Sequence, residues 1–245
     1  MHILYEGPSQ IDGGPIFAAL TGLDRPSANS KTGPMLQTWI LRQDVRPVEA
    51  NKLGLDVSVC GDCPHRKGTC YVNIAQSPTA VYDAYIRGFG LRENLKTLGR
   101  NQRIRLGAYG DPAAIPIQIW TALLQYASEW TGYTHQPLLA PELKRYCQAS
   151  ADTLEQAQLY QSLGWKTYRV KCEDQPLTKN EIICPSNKGV QCITCLKCNG
   201  QTQNIAADVH GLKWKINKFK EYSNAQTLEL QQPVLVRNMP TQVQA

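Results

Sequence analysis

The chain has 245 residues, of which 42% are hydrophobic and 19% charged. That is enough apolar material for a buried core and too little charge for a disordered chain. No apolar run reaches the roughly eighteen residues that a bilayer span needs, which excludes a membrane-spanning helix. Twenty-six basic residues against twenty acidic ones leave a mild excess of +6. Met1–Glu6 has neither a basic region nor an apolar one, so the expected setting is a reducing cytoplasm. There the nine cysteines point to metal rather than disulfides.

Residues 1–34 are rich in Gly, Pro, Ser and Asn and read as a loop-rich arm, with Ile16–Leu20 at most a helical turn. Residues 35–211 read as one α/β domain. The stretch 35–41 is its first strand, and a long polar connection with a cysteine group follows. A helix is expected over 77–88, with Ser77 able to cap it, Pro78 suited to its first turn and Val81, Tyr82, Tyr85 and Ile86 on one face. A strand over 103–109 ends at Gly110-Asp111-Pro112. Asp111 then caps a helix whose apolar stripe runs through Ile115, Ile119, Trp120, Leu123, Leu124 and Ala127. Further strands are expected over 130–134, 146–150, 165–171 and 181–184. A short helix over 141–146 and a longer one from the capping box Asp152-Thr153-Leu154-Glu155 to Gly164 separate them. Residues 212–245 form a basic C-terminal segment.

Strands alternating with helices at this spacing specify a parallel sheet, either an open partial (β/α) barrel or a doubly wound sheet. Ligands of such sheets bind at the strands' carboxyl ends. Asp111, His135, Ser150 with Asp152, and Lys171 all follow strands, which makes scattered polar residues one candidate site. Asp111, His135 and Asp152 are the candidate catalytic groups, although Asp111 and Asp152 also have complete explanations as helix caps. Arg169 and Lys171 stand two apart on one strand face, which can hold a carboxylate or phosphate of a cofactor or simply meet solvent.

The cysteines fall into two groups. Cys184-Pro185 precedes Cys192, Cys195 and Cys198, a CxxCxxC run whose two-residue spacers let one loop wrap an iron–sulfur cubane. Four thiolates also suit tetrahedral zinc. Cys60, Cys63 and Cys70 lie within eleven residues. They can hold three corners of a [4Fe–4S] cluster and leave one iron open to substrate or S-adenosylmethionine. Alternatively His65, Cys147 or Cys172 closes the site as structural zinc. Cys147, inside a strand, reads most simply as a small core residue.

In order, these motifs resemble phage and mobile-element "gene product" families that are radical-SAM-like. The matching residues are Cys60, Cys63 and Cys70-Tyr71, Gly110-Asp111, Thr134-His135, Ser150 and Asp152, Cys184-Pro185 with Cys192, Cys195 and Cys198, and His210-Gly211, over about Lys31 to Gly211. The resemblance implies a partial TIM-type barrel, at least one iron–sulfur cluster and a role in phage or plasmid biology. It supplies no substrate. Radical-SAM enzymes carry CxxxCxxC, whereas this chain has CxxCx6C. The expectation is therefore a cluster-binding, radical-SAM-like enzyme with one or two [4Fe–4S] clusters, served by an electron donor if a cluster is redox active. The competing expectation is a zinc-stapled binding module contacting nucleic acid through Lys213–Lys220. That segment also reads as an amphipathic element with solvated lysines and Trp214, Ile216 and Phe219 packed inward.

Overall fold

The computed structural model of the protein describes residues 1–66 and 68–231, the side chains of 225–231 excepted; residues 232–245 of the basic segment lie outside the described residues. Two five-stranded sheets carry the fold. The first holds β1 (His2–Pro8), β2 (Pro15–Thr21), β3 (Leu36–Arg42), β4 (Arg103–Tyr109) and β5 (Glu129–Thr131) in that order. β1, β2 and β3 pair antiparallel, and β3, β4 and β5 pair parallel. The second sheet is wholly parallel. It orders β6 (Tyr133–Thr134), β7 (Gln148–Ala151), β8 (Thr167–Lys171), β10 (Asn204–Asp208) and β9 (Glu181–Ile183). The expected α/β class is present, with one mixed and one parallel sheet.

The arm expected as loop over 1–34 instead contains the β1–β2 hairpin. Ser9 N–H donates to Gly14 O (2.8 Å), Gly13 N–H to Ser9 O (2.9 Å), and the Asp12 carboxylate accepts from Gly14 N–H (2.9 Å). Gly13 has φ of +79°, so the glycines that read as loop are the hairpin turn itself. Ile16–Leu20, expected as a helical turn, is a strand interior without exposed surface. A short apolar run buried on both faces has no periodicity by which to tell strand from helix.

The single strand expected over 130–134 is divided at Gly132, and the division joins the two sheets. Gly132 N–H leaves the ladder to donate to Cys198 O (2.9 Å), while its own carbonyl accepts from Gln148 N–H (3.0 Å). A side chain at Gly132 would meet Cys147 Sγ at 2.8 Å and Leu106 Cβ at 3.2 Å. Cys147 is fully buried there, a small core residue of the kind expected.

Helices complete the layers: α1 (Pro47–Leu53), α2 (Val57–Cys60), α3 (Ser77–Ile86), α4 (Leu95–Gly99), α5 (Ile117–Leu124), α6 (Leu154–Ser162), α7 (Cys192–Cys195) and α8 (Lys213–Gln231). The helix expected directly after Asp111 is a 3-10 turn over Pro112–Ala114 followed by α5. Pro116 breaks it, because the residue before a proline is driven to extended backbone; Ile115 sits at φ −116°, ψ 153°. Trp120, Leu123 and Leu124 of α5 still bury the predicted stripe. The helix expected over 141–146 is likewise a 3-10 turn, over Pro141–Arg145. α1, α2, α4, α7 and β10 have no counterpart among the expected elements, most of them being too short for a periodic pattern.

Gly132→Ala should cost about 1–3 kcal/mol through overpacking. In the double variant with Cys147→Ala part of that loss should return, because the sulfur is the nearest clashing atom. Urea unfolding of the two chains measures the difference.

Candidate functional site

The first cysteine loop begins where α2 ends, and a charged staple fixes its path. Arg66 binds Asp56 Oδ1 through Nε and Nη2 (3.1 and 2.6 Å), Gly61 O through Nη1 (2.8 Å) and Gly54 O through Nη2 (2.9 Å). Asn51 Nδ2 completes it by donating to Asp56 Oδ2 and Arg66 O. The Asp56 side chain is almost fully buried, where an unpaired carboxylate would be costly, so the staple is self-consistent only when closed. Neither Asp56 nor Arg66 stands out in the sequence, since neither belongs to a chemical motif.

This loop lies against the carboxyl ends of the parallel strands. Asp111, directly after β4, donates its N–H to Val59 O (2.8 Å) next to Cys60. Its carboxylate accepts from Ala113 N–H (2.9 Å), Thr134 Oγ1 (2.7 Å) and His135 N–H (2.7 Å). Burial raises the Asp111 carboxyl above its ordinary value, with these hydrogen bonds acting against it. Asp111 is thus a cap, as its position suggested, and also a clasp between β4, β6 and the cysteine loop. Its oxygens are engaged by the protein, which places it among the positioning groups rather than the catalytic ones.

His135, expected at the site, reaches it. Its ring lies edge-on to His65 at 5.5 Å between centroids. Burial lowers the His135 pKa, and the nearby His65 adds to that against Asp152 and Asp111. Asp152 also arrives, because Thr153 rather than Asp152 caps α6. Thr153 Oγ1 accepts from Gln156 N–H, and Gln156 Oε1 returns to Asp152 N–H (2.9 Å). The capping box is therefore displaced by one residue from its expected position, which frees the Asp152 carboxylate for His65 Nε2 at 2.9 Å. Burial would raise the Asp152 carboxyl, but the His65 hydrogen bond and the two histidines outweigh it and hold it below its ordinary value.

Cys60, Cys63 and Cys70 belong to the loop that carries His65, and Cys63 is near enough to Asp152 to feel its charge. Burial pushes all three thiols upward, and Cys63 and Cys70 raise Cys60 further. Backbone N–H groups of His65 and Val72 face the Cys63 and Cys70 sulfurs and favour their thiolates. Burial favours the neutral thiols, and a bound cation would be needed for all three to become thiolates together. α8 roofs the loop: Lys215 Nζ donates to Cys70 O (2.6 Å), Ser223 Oγ to Asp152 O (3.0 Å), and Phe219 stacks on His65 at 5.8 Å. Phe219 is buried as expected, but Trp214 is exposed. Lys215 of this helix turns to the cysteine loop, where the Cys70 carbonyl accepts from it, whereas Lys218 stays exposed although its side chain runs beside Gly68. Tyr71, beside Cys70, stacks on His210 at 5.0 Å, which unites two motifs far apart in sequence.

The second cysteine group forms elsewhere. Cys184 follows β9, Cys192 and Cys195 share one turn of α7, and Cys198 is buried. Burial raises the Cys198 thiol; the Tyr133 hydroxyl opposes it, and Cys184, Cys192 and Cys195 add to it. The N-terminal arm holds this loop, with Cys192 N–H donating to Lys31 O and Ile193 N–H to Thr32 O, both at 3.0 Å. Among the described residues no three cysteine sulfurs gather within 4.8 Å; the group that does is His65, His135 and Asp152.

Arg169 and Lys171 do not join the site as cofactor ligands. The Arg169 side chain is 1% exposed and makes a two-pronged pair with Glu181, at 2.8 and 2.7 Å, plus a bond to Pro176 O. Lys171 Nζ lies 2.7 Å from Asp208 Oδ1. The anions that face these cations are the protein's own, supplied by β9 and β10. Sequence spacing revealed the shared face but not the strand that would cover it. Cys172 is buried, and the charges that act on its thiol are those of Asp174, Lys220 and Lys171 rather than of another cysteine.

No family model matches the chain, and no curated protein or solved structure matches it either. Among the described residues no helix is long and apolar enough to cross a membrane.

Arg169→Met should cost about 3–5 kcal/mol by stranding the Glu181 carboxylate, and adding Glu181→Met should recover most of it. Burial raises the Glu181 carboxyl, but hydrogen bonds from Arg169 and Thr178 outweigh it and hold it below its ordinary value. A depressed carboxyl stabilises the fold above its unfolded pKa of about 4.3, and the contribution fades as pH falls through the lower folded value. Acid titration of stability should therefore be shallower in Glu181→Gln.

Proposed function

We propose that the chain is an iron–sulfur protein of radical-SAM-like, partial-barrel architecture, with an open three-thiolate site and a second, four-thiolate site. Cys60, Cys63 and Cys70 would hold the first cluster, and Cys184, Cys192, Cys195 and Cys198 the second. The observation that carries this reading is the gathering of seven thiols into two groups, within each of which the sulfurs feel one another's charge. Within each group the thiols are close enough to shift one another's protonation, yet no three lie within 4.8 Å. Four thiolates at about 2.3 Å from one zinc ion stand about 3.8 Å apart. A cubane interposes irons and sulfides between its ligands and takes sulfurs set wider than that.

Placement supports the open site in particular. The loop lies at the carboxyl ends of parallel strands, where substrates of parallel α/β folds bind. The partial barrel is the architecture that an uninterrupted series of parallel pairings from β3 to β9 would describe if β5 and β6 are taken as one strand. When bound, a cluster held by three thiolates offers one iron to substrate or S-adenosylmethionine and can supply single electrons. The chain's own residues then do four things. Arg66 and Asp56 hold the loop, Asp111 sets its height against the strands, and α8 excludes water. His135, with Asp152, faces whatever occupies the open position. The order of the motifs, which resembles that of phage and mobile-element families, supports the same reading.

Anaerobic purification followed by iron, sulfide and zinc analysis tests the reading. Iron and sulfide in matching amounts, with absorbance near about 400 nm, are expected. Cys70→Ala and Cys198→Ala should each remove about half of the iron. Zinc in place of iron and sulfide, or full iron retained in Cys70→Ala, would refute it.

A further inference from the structure

His65, His135 and Asp152 bring two imidazole nitrogens and a carboxylate oxygen within 4.8 Å of one another. They come from three separate places: the cysteine loop, the end of β6 and the end of β7. Each is held by a different device. The His65 Nδ1 lies 2.5 Å from Thr69 Oγ1, which orients the ring and directs Nε2 to Asp152 at 2.9 Å. His135 is placed through its backbone, by the 2.7 Å bond to Asp111, and among the described residues no hydrogen bond engages its ring nitrogens. The Asp152 side chain is 3% exposed and is released from helix capping by Thr153.

An acid–base dyad would need only His65 and Asp152. Among the described residues it leaves the third group, His135, with no hydrogen bond to its ring nitrogens in a part-buried setting. A cation uses all three. Two bonds of about 2.1 Å set their donor atoms about 3.0 Å apart at a right angle and about 3.4 Å at the tetrahedral angle. The 2.9 Å between His65 and Asp152 is already within a few tenths of an ångström of that. Thr69 on the far nitrogen of His65 is the kind of outer partner that metal-binding histidines have.

We propose that His65, His135 and Asp152 form a mononuclear site for a first-row divalent cation, distinct from the cysteine clusters. Two imidazoles and one carboxylate suit manganese, iron, cobalt or zinc in the divalent state. Three protein ligands leave positions open for water or for an oxygen or nitrogen of a substrate. Thiolates favour softer ions, so the two kinds of site separate by donor chemistry although they share one loop. The site stands whether or not the cysteines hold iron and sulfide.

Manganese(II) is the discriminating probe because it prefers oxygen and nitrogen donors. The full chain, purified anaerobically, is titrated with Mn²⁺ and the free ion is followed by EPR, with iron and sulfide measured in the same samples. A single saturable site is expected. His135→Gln, which keeps the backbone bond to Asp111, and Asp152→Asn should weaken it at least about ten-fold. Thr69→Val, remote from the ion, should weaken it by about 10–100-fold without changing the iron content. Cys70→Ala should change the iron content and leave Mn²⁺ binding in place. Absence of a saturable site, its survival in His135→Gln with Thr69→Val, or its loss in Cys70→Ala would overturn the proposal. Failure of the cluster reading shows instead in the iron and sulfide values.

Discussion

The carboxylate of Asp111 is the junction on which the rest of the site depends. It accepts three hydrogen bonds from groups on either side of the strand ends, while its own N–H reaches the residue before Cys60. A buried carboxylate is costly unless each lone pair finds a donor. Satisfying it therefore requires β4, β6 and the cysteine loop to take one relative position. That requirement carries the backbone of His135 to the point where its ring meets His65. The cost of an unpaired buried anion, more than any contact between the functional groups themselves, holds the geometry.

Two further buried charges act in the same way at other points. The Asp56–Arg66 pair gives the loop its shape, and the Glu181–Arg169 pair attaches β9 to β8 across the intervening β10. Each is placed where an orphaned partner would be costly, and each has a member in or next to a cysteine-bearing segment, Arg66 in the first and Glu181 before Cys184. The loops that carry the thiols are too short of apolar residues to be fixed by packing. Charge pairs and backbone hydrogen bonds take over that task, with the N-terminal arm at Lys31–Thr32 and the helix α8 closing the outer sides.

Much of the architecture was legible because its signals are local. The strand at 103–109, the helix after Ser77 and the cap at Asp111 rest on residues within a few positions of one another. The β1–β2 hairpin was hidden because its central apolar run is buried on both faces and has no alternation to reveal it. The break at Gly132 was hidden because its cause, the carbonyl of Cys198, lies 66 positions further along the chain. Asp152 could be read as a cap or as a site residue. The choice turned on whether Thr153 or Asp152 took the capping position, a difference of one residue that propensity does not resolve.

By itself the sequence determined the α/β class, the division of nine cysteines into groups of three and four with two over, and the collection of polar residues at strand ends. These follow from composition, short-range periodicity and spacing along the chain. Only the tertiary structure decided which polar residues face each other. It turned Arg169 and Lys171 toward Glu181 and Asp208, assigned Asp111 to holding the strands, and joined His65 to His135 and Asp152. The physical reason is that a charge buried by folding must be matched by whatever group the topology brings opposite it. Sequence spacing shows the face on which a side chain stands, and the neighbouring strand determines what it meets.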